Sequence, residues 1–396
     1  MPIRRLLPLI LIITLVVLPS ACGQIKPPVS TAAPSAEAPL TVPPLAATPT
    51  LGAVPASKTA IPAAWGRLQR VVYAKADGIW LWDVTAVPKQ LTHSEQDSSP
   101  KISDDGSVIA FRRGSDLWAI NADGSQERML APALPQFDFA PRSHTVYLAD
   151  STRLARVNAD APAFEMLLDD GQGGHFVFSP FLPGGVKIAL PRSDGINVVN
   201  ADGSGWKTIF RFLTVADYVP EVVWLPDGSG FKTVIPVADV AGRVRLMFIS
   251  ADGTIVAKLA EFDASSLATN RLFISPDGAQ VLYTKTHSTD LELHTIDAST
   301  ADKTYFSHPA DTFRAVGWTP DSKHFIYRLA DKLLLGPGQP VALTDASNLR
   351  SIVWVDGQRF LFVQNAELRF HVLGYASVVL DGGLLNETAF DFMMAP

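Results

Sequence analysis

Asp116-Leu117-Trp118-Ala119-Ile120-Asn121-Ala122-Asp123-Gly124, preceded by Ile102-Ser103-Asp104-Asp105-Gly106 and the apolar run Val108-Ile109-Ala110-Phe111, decides the fold of this chain. Two Asp-Gly turns each separate short apolar runs, and such a turn joins antiparallel strands because Gly enters positive φ without a steric cost. The first turn returns as Trp224-Leu225-Pro226-Asp227-Gly228, Ile274-Ser275-Pro276-Asp277-Gly278 and Trp318-Thr319-Pro320-Asp321-Ser322. Weaker copies are Phe139-Ala140-Pro141-Arg142-Ser143, Phe178-Ser179-Pro180 and Trp354-Val355-Asp356-Gly357. The second turn returns as Asn158-Ala159-Asp160, Asn200-Ala201-Asp202-Gly203 and Ser250-Ala251-Asp252-Gly253. Each unit reads as four short strands, and a period of roughly 40 residues with four strands is that of a propeller blade. No stretch keeps a helical period.

Full units start near Pro100, Gln136, His175, Glu221, Arg271, Arg314 and Arg350. Ahead of them, Val71-Val72-Tyr73, Ile79-Trp80-Leu81-Trp82 and Lys89-Gln90-Leu91 supply three strands without a first one. The chain closes with Ala389-Phe390-Asp391-Phe392-Met393-Met394, which echoes the first strand Phe137-Asp138-Phe139. The tail therefore completes the opening blade and closes the ring, which leaves no free sheet edge there. The expectation is an all-β propeller of eight four-stranded blades, about 41 residues each. Seven blades plus a terminal appendage is the alternative.

Upstream, Arg4 and Arg5 precede an apolar run from Leu6 to Leu18. The run is shorter than the roughly 20 residues that span a bilayer, and its flanks read as a secretory signal. The following Leu18-Pro19-Ser20-Ala21-Cys22-Gly23 resembles a bacterial lipobox, with Pro19 where Leu is usual, and Cys22 is the only Cys of the chain. The resemblance implies cleavage before Cys22 and lipid on its thiol; an ordinary cleaved signal and an uncleaved anchor are the other readings. From Gly23 to about Ala64 the chain is rich in Pro, Ala, Thr and Ser and poor in charge. Such a composition favours an extended tether, about 100 Å long in polyproline conformation. The expected organisation is a signal over 1–21, a tether over 22–64 and a propeller over 65–396.

The repeat itself resembles that of TolB-type propellers, shared with propellers of the prolyl oligopeptidase family, from Leu68 to Pro396. The resemblance implies an extracytoplasmic, protein-binding platform, although TolB-type members carry an additional N-terminal domain that a Pro-rich stretch replaces here. No Gly-x-Ser-x-Gly elbow, His-Glu-x-x-His or phosphate loop is present, and no cofactor is implied.

Composition narrows the partners. Lys plus Arg number 33 against 39 Asp plus Glu, so the net charge is −6 and a nucleic-acid interface, which needs a basic face, is not expected. A single Cys excludes an internal disulfide framework and multi-Cys zinc sites. Aspartates repeated in every unit are turn formers first, and Trp224, Trp318 and Trp354 share one apolar position that packs between blades.

A binding surface should come from residues that do not repeat. The connections between blades hold His93 and Asp97, Asp170 and His175, Asp217 and Glu221, Asp263, His308 and Asp311, and Asp345. Carboxylates around one mouth of the ring focus a negative potential. The favoured reading is a monomeric, membrane-tethered scaffold that binds a protein or cell-envelope component through this loop face. The alternative is a metal-assisted polysaccharide lyase or hydrolase at the channel mouth, with His93, His175 and His308 as ligands. Oligogalacturonate lyases resemble that arrangement in outline. Calcium in an Asp-rich turn stays open.

Overall fold

A computed structural model describes residues 65–395, except 85, 151, 170–175, 180–185, 212–218, 238–242, 264–271, 288, 298, 310–312, 338–340, 346–348 and 385–389. The expected signal over 1–21 and tether over 22–64 fall outside the described residues. The rest forms eight antiparallel sheets of four strands each, a closed eight-bladed propeller, with no α-helix among the described residues. The eight-blade expectation holds, and seven is set aside.

Blade 1 contains Leu68–Lys75, Gly78–Asp83 and Lys89–Gln90, and its inner strand is Phe390–Met394 from the far end of the sequence. Tyr73 pairs with Phe390 and Leu68 with Met394. Arg67 reinforces this seam, donating from Nε to the Ala395 carbonyl at 3.0 Å and accepting from the Ala395 N–H at 2.7 Å. Blades 2 to 8 follow in chain order, each running from inner to outer strand.

The core lies between blades because successive residues of a strand face opposite sides of its sheet. In Val108–Arg113, Ile109 and Phe111 join the cluster shared with blade 1, whereas Val108 and Ala110 join the cluster shared with blade 3. The seam cluster runs across blades 8, 1 and 2, and holds Phe390 and Met393 beside Val71, Tyr73, Ile109 and Leu361. Burying several such side chains there contributes about 1.5–3 kcal/mol apiece, against the entropy of bringing distant chain ends together.

The shared Trp position behaves as expected. The Trp224 indole donates to the Val177 carbonyl at 3.1 Å, and the Trp318 indole to the Phe273 carbonyl at 2.9 Å, each reaching back to the preceding inner strand. Trp354 packs on Phe360 but leaves its buried N–H without a partner among the described residues. The inner turns need one left-handed residue: Gly106 adopts φ 71°, and Ser322, standing where Gly106, Gly228 and Gly278 stand in other copies, is driven to φ 59°.

Candidate functional site

Strand direction divides the ring into two ends. The turns that join first to second strands and third to fourth strands, most of them Asp-Gly, lie on one end, the turn face. The connections between blades, and those between second and third strands, lie on the other, the loop face.

The repeated aspartates are committed to their own turns. Asp252 accepts from the Ser250 hydroxyl at 2.6 Å and from the Thr254 N–H at 3.0 Å, and these bonds hold its carboxyl well below the usual range. Asp123 and Asp202 are lowered in the same way by Ser125 and Ser204. Their role is to lock hairpins.

On the loop face, His93 is exposed just beyond Lys89–Gln90. Asp97 requires a correction. It opens the inner strand Asp97–Ile102 and is fully buried, bound by Arg113 through Nε to Oδ1 at 2.6 Å and Nη2 to Oδ2 at 2.8 Å. The Thr92 hydroxyl donates to the same carboxylate at 2.5 Å. A buried carboxylate this fully paired supports the strand and offers nothing to a ligand.

Glu221 is exposed immediately before Val222–Trp224. Asp263 ends the outer strand Val256–Asp263 and pairs with Arg243 at 2.9 Å. His308 stands within the outer strand of blade 6, Asp302–Pro309, opposite Leu291 and 5.5 Å from the Phe306 ring. Asp345 ends Val341–Asp345. Cys22, Asp170, His175, Asp217 and Asp311 lie outside the described residues. Among the described residues no three His, Cys, Asp or Glu side chains are grouped to hold a metal.

The structure also assembles a site that the comparison of repeats overlooked. One register position recurs in all eight inner strands. It is occupied by Asp391, Lys101 and Asp138 in blades 1 to 3, and by Val177, Val223, Phe273, Gly317 and Val353 in blades 4 to 8. Charge is thus confined to one arc beside the seam, facing an apolar arc. Lys101 Nζ lies 3.6 Å from Asp138, and the two side chains keep 35% and 45% of their surface open, so they border water within protein walls. Asp391 accepts from the Ile102 N–H at 3.0 Å.

Two carboxylates share one ammonium here, and their titration shows the imbalance. The surrounding protein pushes the Asp391 carboxyl up to about 6; Lys101 opposes the rise and the like charge of Asp138 adds to it. Asp138 is raised as well, by burial that Lys101 only partly offsets. Burial alone would lower Lys101, but Asp391 and Asp138 together raise it.

Asp391 opens into a recess of about 1050 Å³ on the turn face, rimmed by Arg67, Asp104, Arg142, His144 and Asp160. His144 bridges two blades there, with Nδ1 2.8 Å from Asp160 and Nε2 3.1 Å from Asp105. Burial would lower the His144 pKa, but the two carboxylates raise it overall. The legible signal was the column itself: Lys101, Asp138 and Asp391 are the only charged residues in it.

No family model matches the chain, and no curated protein matches it. Among solved structures it is similar to the Dos1 propeller, with 13% identity over 81% of this chain and 96% of that one and a TM-score of 0.52. Similarity extends to an oligogalacturonate lyase in complex with manganese, with 14% identity, 63% and 78% coverage and a TM-score of 0.42. TolB from Acinetobacter baumannii matches at 14% identity, 61% and 64% coverage and a TM-score of 0.33. The likeness to the Dos1 propeller supports the propeller fold alone, and none of these likenesses carries an activity with it.

Proposed function

We propose that the chain is a membrane-tethered, extracytoplasmic β-propeller that serves as a non-catalytic scaffold, binding a protein or cell-envelope component through its loop face. The supporting observation is the point at which the chain enters the domain. Leu68 begins the second strand of blade 1 and pairs with Met394, and Arg67 borders the same recess as Asp104, Asp105 and Asp160 of the turns. The polypeptide therefore joins the ring at the turn face. A lipid on Cys22, connected through the Pro-rich stretch, would tether the domain through the chain end that enters at the turn face. Connecting loops on a rigid scaffold are where binding residues concentrate.

Growth of the native host with a labelled fatty acid tests the anchor. The wild-type chain takes up label and fractionates with membranes, and Cys22→Ala does neither. Membrane association that survives Cys22→Ala without label would remove the tether from this reading.

A further inference from the structure

Four cations occupy one register position on the outer strands. Lys89, Arg128, Lys207 and Lys303 stand opposite Leu81, Ala119, Val198 and Thr295. Three of them cap the outer turn of the next blade. Lys89 Nζ donates to the Asp123 carbonyl at 2.6 Å, Arg128 Nε to the Ala159 carbonyl at 2.5 Å, and Lys207 Nζ to the carbonyls of Asp252 at 3.2 Å and Gly253 at 3.1 Å. Charged donors on turn carbonyls are among the stronger hydrogen bonds, so the position has a structural purpose in those blades.

Lys303 departs from the pattern. Its ammonium makes no hydrogen bond among the described residues and lies 4.8 Å over the Tyr305 ring. It borders a cavity of about 350 Å³ between blades 6 and 7, which Lys323 also lines. Tyr305 and Trp318 form the wall, each meeting the buried Phe325 edge-on, at 4.8 and 5.9 Å. The hydroxyls of Thr295 and Tyr305 lie 3.2 Å apart and can both give and accept a hydrogen bond. Asp297 lines the cavity too and stays ionised, its carboxylate held by the Ser299 hydroxyl at 2.6 Å and the Ser299 N–H at 2.8 Å, so the two ammonium groups leave the lining with a net positive charge.

The volume falls within the range of small-molecule sites, with aromatic walls and a few convergent polar groups. Aromatic faces suit the C–H side of a saturated ring, the hydroxyl pair suits its alcohols, and two ammonium groups suit an anion as point charges. We infer that this cavity binds an acidic sugar residue, a hydroxylated ring that bears a carboxylate. The cavity lies among the turns, at the end opposite the loop face, so the inference goes beyond the scaffold reading: it adds a second, turn-face site for an envelope polysaccharide and rests on that reading only for the source of the sugar.

The test uses the purified full chain, with D-glucuronate and D-glucose as probes, followed by saturation-transfer NMR and by titration of tryptophan fluorescence. Glucuronate should bind saturably and at least 10-fold more tightly than glucose. Lys303→Met combined with Lys323→Met should erase that preference with the thermal midpoint unchanged, and Lys303→Arg should preserve it. Absence of saturable glucuronate binding, equal binding of the two sugars, or a preference untouched by the double lysine variant would overturn the assignment. The Cys22→Ala chain should bind glucuronate like wild type. Membrane association that survives Cys22→Ala without label, with sugar binding intact, would therefore count against the tether alone, and a labelled, membrane-bound wild type that binds no glucuronate would count against the cavity alone.

Discussion

Replacing Asp391 with Asn should stabilise the protein at neutral pH, an unusual direction for a change in a closing strand. The carboxyl is raised from the ordinary 3.8 to about 6, so folding holds it in an environment that prefers the neutral form. For an acid with a raised folded pKa, the penalty is absent below the unfolded value and grows as pH rises from 3.8 to 6. It is complete above that window. A rise of roughly two units corresponds to about 3 kcal/mol. Screening by channel water should reduce the observable gain to about 1–3 kcal/mol. Asn keeps an oxygen to accept from the Ile102 N–H, and Lys101 keeps Asp138. Urea denaturation at pH 7.5 and pH 3.5 would measure the effect: the variant should be more stable at the higher pH and equal to wild type at the lower. A variant that is less stable at pH 7.5, or a difference that does not change with pH, would refute the account of the charged arc.

Three further outcomes follow from the same structure. Asp97→Ala removes a buried carboxylate from Arg113 and the Thr92 hydroxyl, while Glu127 still pairs with Arg113, and should cost about 1.5–3 kcal/mol in urea denaturation; a loss below about 0.5 kcal/mol would contradict its supporting role. Gly78→Ala places a Cβ 2.2 Å from the Thr92 carbonyl oxygen at φ 135°, and should lower the thermal midpoint by an amount equivalent to roughly 2 kcal/mol or more. His144 has a raised pKa between Asp105 and Asp160, so its contribution is full below the unfolded value near 6.5 and fades as pH rises through the folded one. The gap in thermal midpoint between wild type and His144→Asn should accordingly narrow from pH 6 to pH 9; a widening gap would contradict the bridge.

The fold was legible because a blade is a local object. Asp-Gly turns fix hairpins within a few residues of one another, and the likeness of Phe390-Asp391-Phe392 to Phe137-Asp138-Phe139 betrayed a strand that belongs at the other end of the chain. Sites were less legible because they depend on neighbours distant in sequence. Asp97 sits in the polar run from Ser94 to Ser99 and reads as a loop, but a register shift between Ser98 and Lys101 carries the inner strand back to include it. Its partner Arg113 comes from the next strand of the same sheet, and spacing alone does not announce that pairing. His308 reads as a connection for the same reason, yet its strand runs on to Pro309. The repeats also hid information in their exceptions. Likeness identified the blade, whereas Lys101, Asp138, Asp391 and Lys303 stand out only when one position is compared around the ring.

The scaffold reading is tested most directly in intact cells of the native host, with a photoreactive residue at one described position at a time. His93, Gln96 and Asp194 sample the loop face; Asp123, Asp202 and Asp252 sample the turn face. The account predicts a recurrent cross-linked envelope partner from the loop-face positions and none from these turn-face positions, which belong to blades 2, 4 and 5 and lie outside the cavity between blades 6 and 7. Adducts confined to the turn face, or no adduct above background from either, would contradict it.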